Sequence, residues 1–216
     1  MAVSLPNGVT LSLATAYGST LTVSAVSNAA SYAQASSTTH GLSNGDFVEA
    51  TSGWSKLNSR VTRVSDSQTS TFDFEGIDSS STTLYPAGTG TGSVREITTW
   101  TQITQIIDLS TSGGEMGFTT YSFLENDFET QLPTQSSPMT MQITIADDPD
   151  LTGFIALQAA AEARSVRALK ATLPDGSLIL YNGYVSFNDT PTMTKNQVMG
   201  VRATFNLIAK PVRYAS

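Results

Sequence analysis

Few residues in this chain are equipped for chemistry. His40 is the only histidine, and cysteine is absent. That excludes disulfide scaffolds, thiolate zinc sites, iron–sulfur clusters and cysteine nucleophiles together. His40 is the one imidazole available as a general base, and it sits in a Ser/Thr/Gly turn, where a structural role is expected. Asp147, Asp148 and Asp150 have oxygens for calcium, but lack the Gly and terminal Glu of an EF-hand loop. Capping of a following helix accounts for them. Gly88-Thr-Gly-Thr-Gly is followed by neither helix nor lysine, so it reads as a flexible hairpin loop, not a phosphate loop. Glu125, Asp127 and Glu129 offer the paired carboxylates of a glycosidase. They lie in an aperiodic stretch without the rigid aromatic cleft a sugar needs. The expectation is a non-enzyme with no catalytic residue, cofactor or metal.

The elements that carry these residues are β in character. The 216 residues are 13% charged, and Ser plus Thr make up about 27%. Strand formers and turn residues dominate. A hydrophobic fraction of 39% argues against wholesale disorder. The N-terminus lacks the basic and apolar regions of a signal peptide, and no apolar run suits a membrane helix. The reading is a soluble protein made in a cytosol.

Charge is unevenly spread. Residues 1–45 carry none, residues 46–162 carry sixteen acids against four bases, and residues 163–216 carry two acids against seven bases. No Lys or Arg occurs between Arg95 and Arg164. Such a stretch does not grip phosphate backbones.

Residues 7–17 alternate as a strand, and Leu21–Val26 repeats the pattern. Residues 27–45 read as small and polar. Short strands at Phe47–Ala50, Val61–Val64 and Thr71–Gly76 suggest a small barrel over roughly 20–97. In Ile103–Leu109, Ile103, Ile107 and Leu109 are expected to share a face. Residues 111–137 lack a period and read as a loop of more than 20 residues. Alternation returns at Met139–Ile145. A helix is expected over about 149–163, capped by Asp148-Pro-Asp, with Leu151, Phe154, Ile155 and Ala161 on its apolar face. Val166–Leu173 reads as a strand, and Leu173-Pro-Asp-Gly-Ser as a tight hairpin turn with Gly176 at positive φ. Strands at Leu178–Tyr181 and Tyr184–Phe187 follow, with Gly183 a bulge between them. In the last strand Met199, Val201, Ala203, Phe205, Leu207 and Ala209 share one face. The fold class is all-β: a β-sandwich with one flanking α-helix and a small N-terminal barrel.

Several stretches then combine into a resemblance. They are Thr101-Gln-Ile-Thr-Gln-Ile-Ile-Asp-Leu, Ser112-Gly-Gly-Glu, Ala146-Asp-Asp-Pro-Asp, Ala171-Thr-Leu-Pro-Asp-Gly-Ser-Leu-Ile-Leu-Tyr-Asn-Gly-Tyr-Val-Ser, Pro191-Thr-Met-Thr-Lys-Asn-Gln-Val-Met and the ending Ala209-Lys-Pro-Val-Arg-Tyr-Ala-Ser. Together they resemble the major tail tube proteins of long-tailed, siphovirus-like bacteriophages, over about 98–216. In the first half, His40-Gly-Leu-Ser-Asn-Gly-Asp-Phe-Val, Gly53-Trp, Leu57-Asn and Val61-Thr-Arg-Val resemble an SH3-like barrel found in phage structural proteins.

The resemblance implies two units, residues 1–97 and 98–216. It implies hexameric rings stacked into a hollow virion tail tube that conducts DNA into the host. Each subunit would contribute strands to a shared inner barrel. The 111–137 segment would be the ring-stacking loop, with Glu115, Phe118, Tyr121, Phe123, Glu125, Asp127, Phe128 and Glu129 as its contact candidates. Lumen candidates are Asp108, Thr140, Gln142, Thr144, Thr204 and Asn206, on a wall expected to be acidic. Basic candidates for contacts between subunits are Arg164, Arg167, Lys170, Arg202 and Arg213. The implied partners are further copies of the chain, a tape measure protein inside the tube, tail initiator and terminator proteins, and viral DNA passing without specific binding. No membrane insertion is implied. The alternative is another phage structural β protein, such as a tail decoration or receptor-binding module. Self-assembly separates the two.

Overall fold

Two long strands form the spine. In the computed structural model, which describes residues 7–215, β1 (Thr10–Val23) runs antiparallel to β7 (Gly92–Ile103) from Leu11↔Ile103 to Val23↔Gly92. The two strands expected at 7–17 and 21–26 are therefore mostly one. Register shifts between Ala14 and Thr20 bend it. β7 crosses position 97 unbroken, so the two halves share a strand and not a linker. The reading of Met1–Pro6 lies outside the described residues.

At the Val23 end the spine borders a small curled sheet. It is built from β2 (Ala25–Val26), β3 (Ala33–Ser36), β4 (Phe47–Ser52), β5 (Val61–Ser65) and β6 (Thr71–Phe74), and β4 pairs with β7. Trp54, Phe72, Phe74, Leu57 and Val48 fill its core. The Trp54 indole N–H donates to Pro86 O at 2.8 Å, satisfying its one polar atom. β3 corrects the reading of 27–45 as turn alone. Its Ala33-Gln-Ala-Ser alternation is too short and too small-sided to register as a period, yet both alanines are fully buried.

At the Leu11 end the expected sandwich is instead one curled sheet, continuous with the spine and packed against the single helix. The strands after β7 are β8 (Ile106–Ser112), β9 (Met116–Tyr121), β10 (Thr130–Ser136) and β11 (Thr140–Ala146); then come α1 (Thr152–Ala163), β12 (Val166–Thr172), β13 (Leu178–Thr192), β14 (Gly200–Leu207) and β15 (Val212–Tyr214). The sheet continues from β1 through β12, β13, β14 and β11 to β8. Leu11, Leu13, Met141, Ile143, Ile145, Val201, Ala203 and Phe205 form the core, closed by Phe154, Leu157 and Ala160 of α1. The alternation at Met139–Ile145 and Val201–Phe205 is as expected, as is the turn, with Gly176 at φ 87°. Met199 is exposed.

Three local readings change. The helix starts at Thr152, with Leu151 as N-cap and no side-chain cap, and Asp148 instead accepts backbone N–H bonds in the preceding turn. Its buried side is Gly153, Phe154, Leu157 and Ala160, while Ile155 points to solvent. Ile103, Ile107 and Leu109 do not share a buried face. Gln105 takes a left-handed φ of 56° and ends β7, and a bulge follows, so Ile103 is buried but Ile107 and Leu109 are exposed. Gly183 is no bulge: β13 is continuous through it. A Cβ there would lie 2.1 Å from Asn206 O, so glycine permits close strand approach.

A third core joins the halves. Ala14, Val61, Ile97, Ala168, Leu180, Val212 and Tyr214 meet between the small sheet and the larger curled sheet. Tyr214 accepts the Arg63 backbone N–H at 2.8 Å and donates to Glu75 O at 3.1 Å. Arg63 lies over its ring and pairs with Glu75. Burial pushes the Tyr214 phenol up to about 12. Below pH 10 both folded and unfolded states keep this proton. Above it the unfolded chain releases the proton first, so stability falls until the folded phenol also titrates. Half-buried Tyr17 and Tyr181, likewise raised by desolvation, add to the fall. Urea midpoints at pH 9 and pH 11.5 should show the loss, with Tyr214 supplying about 2 kcal/mol of it. Tyr214→Phe should shallow the fall; an unchanged fall would remove Tyr214 from the account.

Candidate functional site

Among the described residues no group of three or more His, Asp or Glu side chains is placed to hold a metal ion. His40 is buried and spent on backbone. Its Nδ1 accepts the Leu42 N–H at 3.1 Å, so Nε2 carries the proton and donates to Thr71 O at 3.3 Å. Gly41-Leu-Ser-Asn-Gly fits the Gly-x-Ser-x-Gly string of a nucleophile elbow. Its context is wrong: the segment is a turn leading into β4, the Ser43 N–H bonds Asp46 Oδ2, and no strand–turn–helix exists there. No described helix is long and apolar enough to cross a membrane.

The conspicuous feature is an open sheet. β8, β11, β14 and the second half of β13 pair in that order. β8 is a free edge. On the far side, β12 pairs with β13 only as far as Tyr184, so residues 185–192 have no strand partner away from β14 among the described residues. Among the described residues both edges of this four-stranded sheet are therefore unpaired.

One face of it packs into the core shared with α1, and the other is polar. Register brings Asp108 opposite Thr144, Gln142 opposite Thr204, and Thr140 opposite Asn206. Opposite residues of an antiparallel pair point to the same face, so all six candidates of the expected lumen wall share one surface. Ser110, Ser112, Ser186, Asn188 and Arg202 join them there. The expected acidity does not follow. Among these paired positions Asp108 is the one acid and Arg202 the one base. Most other acids lie elsewhere: Glu125, Asp127 and Glu129 between β9 and β10, and Asp147, Asp148 and Asp150 before α1.

The 111–137 segment is a hairpin and not an aperiodic loop. β9 and β10 pair from Thr130↔Tyr121 to Ser136↔Met116 and form a separate two-stranded sheet. Its root is tied by Gly114 N–H to Ser137 O and Ser137 N–H to Glu115 O. Phe118 and Met116 lie on one face and Tyr121 and Leu132 on the other, which erases the alternation that marks a half-buried strand. Phe118, Phe123, Phe128 and Leu124 are exposed, Leu124 completely. Tyr121 and Phe123 stack edge to face at 5.6 Å. Glu115, Glu125, Asp127 and Glu129 are exposed beside them.

The five basic candidates do not form one patch. Arg164 is the left-handed C-cap of α1. Arg167 lies over the Tyr17 ring, and Lys170 over Trp100 at 4.6 Å and Phe47 at 5.0 Å. Burial pushes the Lys170 ammonium down. Arg202 is exposed on the polar sheet face, and Arg213 on β15. Sequence reading missed Glu49, which is buried, pairs with Arg95 and accepts from Asn182 Nδ2 at 2.9 Å, tying β4 to β13. An isolated Glu within a strand carries no signal of such a tie.

The family model described as phage tail tube protein, TTP, matches residues 52–216. No curated protein matches the chain. Among solved structures, the sheath–tube complex of PVC, an extracellular contractile injection system, in its extended state is similar over 50% of this chain and 80% of that chain, at 14% identity and a TM-score of 0.33.

Proposed function

Because the chain belongs to the phage tail tube protein family, and so is a structural subunit of a virion tail, we propose that it closes into hexameric rings which stack into the conduit for DNA. The carrying observation is the four-stranded sheet whose two edges have no strand partner among the described residues. Edge β8 of one copy meets residues 185–192 of β13 in the next. Such a contact joins different surfaces, so repetition with a closing rotation gives a ring and leaves no exposed strand edge. The polar face then lines the bore, with Asp108, Thr140, Gln142, Thr144, Thr204 and Asn206 on its wall. That wall is nearly neutral, made of hydroxyls and amides. DNA passes because few cations grip it, not because the wall repels it.

The hairpin reaches the adjacent ring through Phe118, Tyr121, Phe123 and Phe128, and Glu115, Glu125, Asp127 and Glu129 border that contact. Arg164, Arg167, Lys170, Arg202 and Arg213 serve separate contacts, given their scatter. The subunit is not an enzyme. It is made in the host cytoplasm and works with a tape measure protein, an initiator and a terminator.

Negative-stain imaging of the purified chain tests this. Stacked rings with a central bore are expected. A persistent monomer, or a trimeric fibre, would overturn the reading.

A further inference from the structure

The turn after β14 and the loop between β4 and β5 enclose a basic cleft of about 210 Å³. It is lined by Lys56, Arg60 and Lys210, with Ser55, Asn58 and Ile208. The three cations come from opposite halves of the chain, and among the described residues no carboxylate lines the cleft. None of them forms an ion pair among the described residues. Folding has gathered like charge there with no neutralising partner among the described residues.

The hairpin poses the opposite problem. Glu125, Asp127 and Glu129 lie on its exposed tip, in a stretch with no Lys or Arg from 96 to 163. They too form no ion pair among the described residues. Cleft and hairpin belong to the same end of the open sheet. The hairpin leaves from Ser112, which is opposite Thr140, and Thr140 is opposite Asn206, just before the turn at 208–211. Ring neighbours are related by rotation alone, so they present this end at the same height.

We propose that the cleft receives the acidic hairpin tip of the neighbouring copy in the same ring, an inference that rests on the ring reading above. The hairpin then has two jobs. Its carboxylates bind sideways to the neighbour's Lys56, Arg60 and Lys210, and its aromatic side chains remain for the next ring. Charge matching of this kind fixes register and speeds encounter more than it adds affinity. It is weakened by salt.

The test is charge reversal with rescue. Lys56→Glu/Arg60→Glu/Lys210→Glu, and separately Glu125→Lys/Asp127→Lys/Glu129→Lys, should each lower the yield of sedimentable tubes about tenfold or more at low salt. Circular dichroism should show both folded, since all six side chains lie outside the cores. One chain carrying both sets should recover tubes, as should a mixture of the two variants. Normal tubes from either single set overturn the docking and leave the ring reading intact. Loss in both with no recovery in the folded combined chain also overturns it. Failure of the unaltered chain to assemble removes the ring reading itself.

Discussion

Excising residues 115–136 and joining Gly114 to Ser137 should leave a folded subunit that makes no tubes. The join is geometrically easy, because the Gly114 N–H already donates to Ser137 O at 3.2 Å. No residue of the excised segment belongs to any of the three cores. Its strands pair only with each other. The thermal midpoint should therefore move by no more than about 3 °C, the scale of a surface change. Assembly should fail for the same reason that folding survives. Phe118, Phe123, Leu124 and Phe128 are exposed, and no core of this chain covers them. Burying each would contribute roughly 1.5–3 kcal/mol. Losing all four removes on the order of 6–12 kcal/mol per subunit from the contact, which entropic costs of association would otherwise leave only partly offset. Sedimentation and negative-stain imaging of the excised chain check this. Tubes at normal yield would show that the hairpin is dispensable. A lone two-stranded hairpin is marginal in water, so its amides should also exchange quickly before assembly.

Much of the fold could be read because half-buried strands announce themselves by period. Met141, Ile143 and Ile145 alternate with Thr140, Gln142 and Thr144 since one face is core and the other is polar. The tight turn was readable from Pro174-Asp-Gly, where the backbone demands glycine. The hairpin was not, because its two faces are both partly apolar and neither is buried within one chain. Period reports burial in the monomer, and this element finds its burial elsewhere. Ile107 and Leu109 misled for a related reason. They are apolar without being core, since they sit on an edge strand after the kink at Gln105. The six wall candidates could be grouped by alternation alone, but their assembly on one face needed register across three strands, which only long-range pairing fixes. The cleft was invisible for a stronger reason: Arg60 and Lys210 are 150 positions apart.

Those misread side chains on β8 lead to the sharpest test of ring closure. Ile107→Lys/Leu109→Lys should abolish rings while leaving the monomer intact. Both positions are exposed in the single chain, 52% and 41%, so the lysines can extend into water and stability should change by no more than about 0.5 kcal/mol. The edge is another matter. Natural sheets guard open edges with lysine, since a neighbouring strand would have to desolvate each ammonium as it paired. Here the unguarded, apolar edge is itself the signal that a strand from another copy belongs beside it. Two lysines on β8 should therefore do to this protein what edge lysines do for proteins that must stay monomeric. Light scattering should report monomer at concentrations where the unaltered chain polymerises, with circular dichroism unchanged. Hairpin excision and edge lysines then fail differently. The excised chain still has both sheet edges and can close isolated rings, weakened if its acidic tip also braces the neighbour. The edge variant keeps its hairpin but cannot close, so it should yield neither rings nor tubes. Isolated rings from the edge variant would mean that closure runs through some surface other than β8 and residues 185–192 of β13.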